Sequence, residues 1–181
     1  MPFDLQPTLE GEILELRPLR PEDFDALFAV ASDPLIWELH PERDRYKEER
    51  FRAYFQSGLD CGGALLAIDR KTGAVIGSSR YYGYDPEASE IEIGWTFLAR
   101  SHWGGEYNGE MKRLMLGHAF RFVENVVFLI GADNLRSRKA VEKIGAVYIG
   151  TRIDSKREER VVYRITASSW NPLTDPRSWQ V

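Results

Sequence analysis

The chemistry-bearing residues of this chain fall in two stretches, each a strand-like run that breaks and opens a helix. In the first, Ile91-Glu-Ile-Gly-Trp-Thr-Phe alternates apolar and polar, and Ser101-His-Trp-Gly-Gly-Glu-Tyr-Asn-Gly follows as a glycine-rich break before an amphipathic helix. Such a break aims free backbone N–H groups and the positive end of a helix dipole at one small volume, which suits a pyrophosphate. The competing reading is a turn that only reverses the chain. On the first reading Trp103, Gly104, Gly105, Tyr107, Asn108 and Gly109 hold the phosphates, mainly through main-chain N–H groups. Glu92, on the strand leading into the break, is the candidate general base; the alternative is a solvated strand-face carboxylate. Glu90 shares its face but lies further from the break.

In the second stretch the apolar run 126–130 leads through Gly131-Ala-Asp to Asn134-Leu-Arg-Ser137 and then Ala140-Val-Glu-Lys-Ile-Gly145. Asn134 reads as a helix N-cap. Ser137 shares a helical face with Ala140, Val141 and Ile144, so it is expected to point toward the sheet and can serve as a proton donor. The alternative is a first-turn serine that satisfies its own helix end. Arg138 or Lys139 could meet a ribose phosphate, although such a basic pair also suits a solvated helix face.

Positioning these residues requires an alternation of strands and helices along the chain. Residues 12–17 alternate as a half-buried strand stopped by Pro18 and Pro21. Helical spacing of Phe24, Leu27, Phe28 and Ala31 predicts a helix ending near Ser32, and Phe51, Tyr54 and Phe55 predict a second over 46–57, capped by Gly58. A meander follows over 64–69, 74–84 and 89–97, with Ile91, Ile93, Trp95 and Phe97 on one face of the last strand and Glu90, Glu92, Gly94 and Thr96 on the other. A third helix over 107–122, a buried strand over 126–130, a fourth helix from Asn134 and two strands over 147–153 and 160–166 complete the series. The tail 168–181, with Trp170, Pro172, Pro176 and Trp179, reads as irregular and is expected to pack on the domain or on a second subunit, which would make a homodimer.

Strand, phosphate loop, helix, strand, helix is an order that resembles the GNAT superfamily of acetyl-CoA-dependent N-acetyltransferases, most closely its RimJ/RimL-like branch. The resemblance runs from Leu14-Glu-Leu-Arg-Pro to the strand ending near Thr166, and Asn134-x-x-Ser137 with Ala140-Val-Glu-Lys-Ile-Gly145 carries it best. It implies an α/β (α+β) fold, a mixed, mostly antiparallel seven-stranded twisted sheet flanked by four helices, as one domain over 1–167. It also implies acetyl-CoA as acyl donor, a primary amine as acceptor (a protein N-terminus or a small molecule) and direct transfer in a ternary complex. Ser137 would protonate the departing thiolate, and the Asn134 side chain would bond the pantetheine arm. In the family the loop reads Gln/Arg-x-x-Gly-x-Gly/Ala; Gly104 matches, while Ser101 and Glu106 depart from it. Phosphates can lie there only if Glu106 turns outward.

The 181 residues are enough for one substantial core, and no Pro/Ser-rich linker divides them. A formal net charge of −4 argues against a dedicated nucleic-acid binder and mildly favours a cationic amine. The lone Cys61 excludes an internal disulfide and a cysteine-based zinc site, and is expected to be a small filler. No apolar run is long enough to span a membrane and the amino terminus lacks a signal pattern, so a cytoplasmic location is expected. The three histidines are scattered, which gives no metal site; His118 reads as a hydrogen-bonded core imidazole and His40 as a loop residue. Trp37, His40, Tyr46 and Tyr82 are among the aromatic side chains that supply candidate walls for the acceptor. A non-catalytic acyl-CoA-binding sensor or scaffold is the competing function. A nucleotide-binding module is weaker, because no Gly-Lys-Ser/Thr signature follows the loop.

Overall fold

The computed structural model describes residues 2–171. Its frame is one eight-stranded sheet in the order β1-β2-β3-β4-β5-β6-β8-β7. The strands are β1 (Leu9–Glu10), β2 (Leu14–Pro18), β3 (Ala64–Asp69), β4 (Val75–Asp85), β5 (Glu90–Leu98), β6 (Asn125–Ile130), β7 (Val147–Ile153) and β8 (Glu159–Thr166). Neighbours are antiparallel except β5 and β6. The eighth strand, beyond the seven expected, is the two-residue β1, too short to show any periodicity.

Helices α1 (Phe24–Ala31) and α2 (Glu48–Cys61) cover one face of the sheet, and α3 (Glu106–Ala119) and α4 (Leu135–Lys143) the other. The alternating strand pattern dictates this: Leu65 and Ala67 of β3 pack with Met111 and Met115 of α3, while Ala64 and Leu66 pack with Leu27 and Phe51. Phe51 is fully buried, and truncating such a ring costs about 3–5 kcal/mol. Helix α3 is pinned by Glu110, whose carboxylate accepts the backbone N–H groups of Glu12, Ile13 and Leu14 at 2.8, 2.9 and 2.8 Å. That contact ties the turn before β2 to α3.

Two local expectations are corrected. Helix α2 runs through Gly58, which packs against Arg80 and Leu19, and ends one turn later on Gly62 in the left-handed conformation (φ 66°). In β5 the regular alternation fails. Gly94 pairs with Arg80 but Phe97 pairs with Ser78, so an extra residue bulges out, and Trp95 takes φ 52°. Ile91 and Ile93 therefore face α3, whereas Phe97 packs beneath α1 and α2. The Tyr54 hydroxyl donates to the Trp95 carbonyl at 2.6 Å and holds the bulge in place. In the tail, Trp170 packs back on Phe120 with ring centroids 5.4 Å apart; Pro172, Pro176 and Trp179 lie outside the described residues.

Candidate active site

β5 and β6 pair only through Glu90, Ile91 and Glu92 with Asn125, Val126 and Val127. Past Glu92 the bulge turns β5 aside, the parallel ladder stops, and a cavity of about 710 Å³ opens between the two strands. Its walls include the start of α3, the inner face of α4, the 36–45 loop and the β7–β8 turn.

One end of the cavity is built from Trp103, Gly104, Gly105, Asn108 and Gly109, all on its wall. Gly104 and Gly105 have φ 111° and 102°, a region that penalises a side chain, and nothing lies within 4 Å of where a Gly104 Cβ would be. Beyond them the first N–H groups of α3 have no partner within the helix. Glu106 is exposed and off the cavity wall, so its carboxylate is turned away from this cradle. The loop is anchored by His102, whose Nε2 lies 3.2 Å from Asp69 Oδ2, and by the Trp103 indole, which donates to the Leu98 carbonyl at 3.0 Å. Arg136 stacks over the Trp103 ring at 4.2 Å and donates to the Ile36 carbonyl at 3.0 Å, tying α4 to the 36–45 loop. With Arg136, Lys139 and Lys143 also on the wall, the donor set fits a pyrophosphate-bearing ligand.

On α4, the Asn134 side chain accepts the Ser137 N–H at 3.2 Å, as an N-cap does. Asn134, Ser137, Ala140, Val141 and Ile144 all line the cavity. Arg138 does not. Its guanidinium is spent on the Tyr163 hydroxyl at 3.0 Å and the Ala132 carbonyl at 2.9 Å, because position 138 faces β8. Tyr107 is also turned away, its ring edge-on to His102 at 4.7 Å, and Tyr46 is off the wall, with Lys47 over its ring. Trp37 and Tyr82 do line the cavity.

Glu92 projects on the side opposite Ile91 and Ile93, and its carboxylate lies beside Gly94, where an added Cβ would be 3.1 Å away. Loss of hydration, with Asp154 nearby, pushes its pKa up to about 7, against the pull of Arg152 and Arg80. Arg152 is already engaged by Glu90, at 3.1 Å on one branch, which leaves Glu92 with no ion pair within 4 Å among the described residues.

Two wall residues, Lys112 and Arg45, carried no recognised signal in the sequence. Lys112 is buried; its ammonium donates to Thr96 Oγ1 at 2.7 Å, lies 5.6 Å from the Phe128 ring, and is held by burial at a pKa of about 7. Helical spacing from Asn108, in the first turn of α3 and on the cavity wall, puts it on the same face. His40, expected among the aromatic walls, and Arg45 both come from the 36–45 loop, where no periodicity marks Arg45 as inward. The loss of hydration, with Arg45, Arg160, Lys156 and Arg136 around it, lowers the His40 pKa to about 3. His118, by contrast, is the hydrogen-bonded core imidazole expected, 2.7 Å from the Asp4 carbonyl.

Comparison with known proteins bears on the same parts. Among solved structures, a GCN5-related N-acetyltransferase from Brucella melitensis superposes with a TM-score of 0.81 at 21% identity, covering 93% of this chain and 82% of that one. An acetyltransferase from T. thermophilus gives 0.70 at 27% identity, covering 94% and 92%. Spermidine N-acetyltransferase from Vibrio cholerae, in complex with CoA and spermine, gives 0.67 at 14% identity, covering 88% and 98%. No curated protein sequence matches significantly. The profile of the acetyltransferase (GNAT) domain matches residues 14–147, from β2 through the splayed strands and α4 to the start of β7, and the chain therefore belongs to the GNAT acetyltransferases.

Proposed function

We propose that this acyltransferase moves an acetyl group from acetyl-CoA to a primary amine by direct transfer in a ternary complex, with Glu92 as base and Ser137 as acid. The observation that carries this reading is a cavity that has a glycine cradle at one end and both Glu92 and Ser137 on its walls. When bound, acetyl-CoA supplies the acetyl group as a thioester.

Glu92, with a pKa near 7, is poised to take a proton from an ammonium acceptor at neutral pH and leave a nucleophilic amine. The amine nitrogen then bonds to the acetyl carbon as the carbon–sulfur bond breaks, and the nitrogen releases its second proton to solvent. Ser137 delivers a proton to the departing sulfur and recovers it from solvent. No enzyme nucleophile is required; the Cys61 thiol is bonded to the Gly58 carbonyl at the end of α2, away from the cavity wall. Lys112, Asn108 and Asn134 line the same cavity as Ser137 and would orient the ligand's polar groups. The Asn134-x-x-Ser137 pattern favours a RimJ/RimL-like member, acting on a protein N-terminus or a small amine. The outward Glu106 removes one of two features that favoured a binding-only relative; the other is Val141, which stands where the family's other solution for the proton donor has a tyrosine.

Calorimetric titration with acetyl-CoA, with ATP as control, followed by an amine panel, tests the reading. Micromolar binding of acetyl-CoA alone, with CoA released in step with amine acetylation, is the expected result. No binding, or binding without transfer to any amine, would overturn it. Ser137→Ala is expected to lower kcat about tenfold or more while leaving the acetyl-CoA Kd unchanged; an unchanged kcat removes Ser137 from the mechanism.

A further inference from the structure

The acceptor wall of the cavity contains hydrogen-bond donors that the protein leaves without acceptors. His40 Nδ1 accepts the Glu42 N–H at 3.0 Å. A neutral imidazole has one acceptor nitrogen, and with Nδ1 taken by that N–H the ring proton is assigned to Nε2. Burial and the four surrounding cations keep the ring neutral. Yet Nε2 faces an Arg45 terminal nitrogen at 3.2 Å. Guanidinium nitrogens only donate, so two N–H groups confront one another with no oxygen between them.

Arg45 itself is 6% exposed, and its Nε has no partner among the described residues. The Trp37 and Tyr54 rings flank its guanidinium at 5.5 and 4.7 Å, so it cannot swing to water. Its carboxylate partner, Glu42, bonds it at 2.6 Å but is shared with Lys156. Glu92 presents the opposite case on the same cavity, a carboxylate with no cation within ion-pairing distance among the described residues. Buried donors without acceptors are costly and are retained where a ligand supplies the oxygens. The cavity therefore asks for a cation at Glu92 and an oxyanion at Arg45 and His40.

Resting on the acetyl-transfer reading, we propose that the acceptor is a small amine that also carries a carboxylate, an amino acid or close analogue. The Arg45 guanidinium and the His40 Nε2–H hold the carboxylate, while the amino group faces Glu92. A planar carboxylate matches the guanidinium fork and can take the facing His40 proton with its second oxygen. Polyamines and simple alkylamines, which offer only cations to this wall, would leave the donors unpaired.

Matched acceptors test this on the full chain with saturating acetyl-CoA: a set of amino acids, their methyl esters and the corresponding decarboxylated amines. The expected result is a kcat/KM about a hundredfold higher for at least one acid than for its ester or amine. Arg45→Met, which keeps the side-chain length between the two rings, is expected to abolish that ratio while the calorimetric Kd for acetyl-CoA stays unchanged. The wild-type ratio reads the proposal even if the variant does not fold. Esters or polyamines used as well as the acids overturn the inference and leave acetyl transfer standing. So does an Arg45→Met protein that keeps the ratio, or a wild type that binds acetyl-CoA and uses none of the acids. Failure of acetyl-CoA to bind overturns the transferase reading itself.

Discussion

Glu92 owes its acidity to position rather than to residue type. On a solvated strand face it would titrate near 4 and be too weak a base to deprotonate an ammonium. Here desolvation dominates, Asp154 adds repulsion, and Arg152 is diverted by Glu90, so the pKa is pushed up to about 7. Base catalysis needs the ionised form. kcat/KM should therefore rise with pH through a limb near pH 7 and level off above it, a profile read by initial rates across pH 5.5 to 8.5 (the window follows from the pKa). Glu92→Gln keeps the shape but cannot accept a proton. It should reduce kcat by about 10²- to 10⁴-fold and erase that limb. A variant that retains the limb would assign it to another group on the wall, with Lys112, also held near 7, the first to examine.

The bulge in β5 is the element that turns a continuous sheet into a cleft. One extra residue at Trp95 shifts the side-chain phase, so Thr96 and Leu98 face α3 while Glu92 and Gly94 face the acceptor side. Placing a bulky residue at φ 52° is unfavourable, and the Tyr54 hydroxyl on the Trp95 carbonyl offsets part of that cost. Gly94 serves the same geometry. Gly94→Ala puts a methyl group 3.1 Å from Glu92 Oε1 and forces the carboxylate to shift; kcat should fall about tenfold with no change in acetyl-CoA affinity, as steady-state rates and calorimetry would show. Equal kcat would mean that Glu92 need not hold its place. Such features decide what was legible beforehand. The meander, the glycine turn before α3, the Asn134 cap and the side of α4 that carries Ser137 follow from period and capping chemistry, and the structure places these elements as expected. The bulge did not show, because Ile91 to Phe97 keeps an unbroken apolar alternation across the residue that interrupts the register. Arg45 reaches the cavity by tertiary placement alone, whereas the spacing of Lys112 from Asn108 carried a signal that was not used. Arg138 was assigned to it because spacing alone does not say which side of α4 meets β8.

Across the whole molecule, gathering a buried carboxyl and a buried ammonium around one cleft makes folding stability depend on pH in an unusual way. Glu92 has a folded pKa near 7 against 4.5 for a free glutamate. Between those values the unfolded chain has lost the proton that the folded protein keeps, so stability falls as pH rises from 4.5 toward 7. Lys112 has a folded pKa near 7 against 10.5 for a free lysine. From 7 to 10.5 the unfolded chain holds a proton that the folded protein has given up, so stability rises with pH in that window. The two contributions therefore meet in a dip near pH 7, each with a slope of up to about 1.4 kcal/mol per pH unit. Carboxylates that ion pairs hold low, such as Asp23 with Arg17, act at more acid pH: their stabilisation is present above the usual carboxylate range and is lost as pH falls through it. Urea unfolding at about pH 5, 7 and 9 should accordingly place wild type lowest at 7. Glu92→Gln should flatten the acid side of the dip only, and Lys112→Met the alkaline side only. A stability maximum near pH 7 that neither substitution alters would mean that both groups keep ordinary acidity, and the cavity would then lack the dry interior on which proton transfer from the acceptor depends.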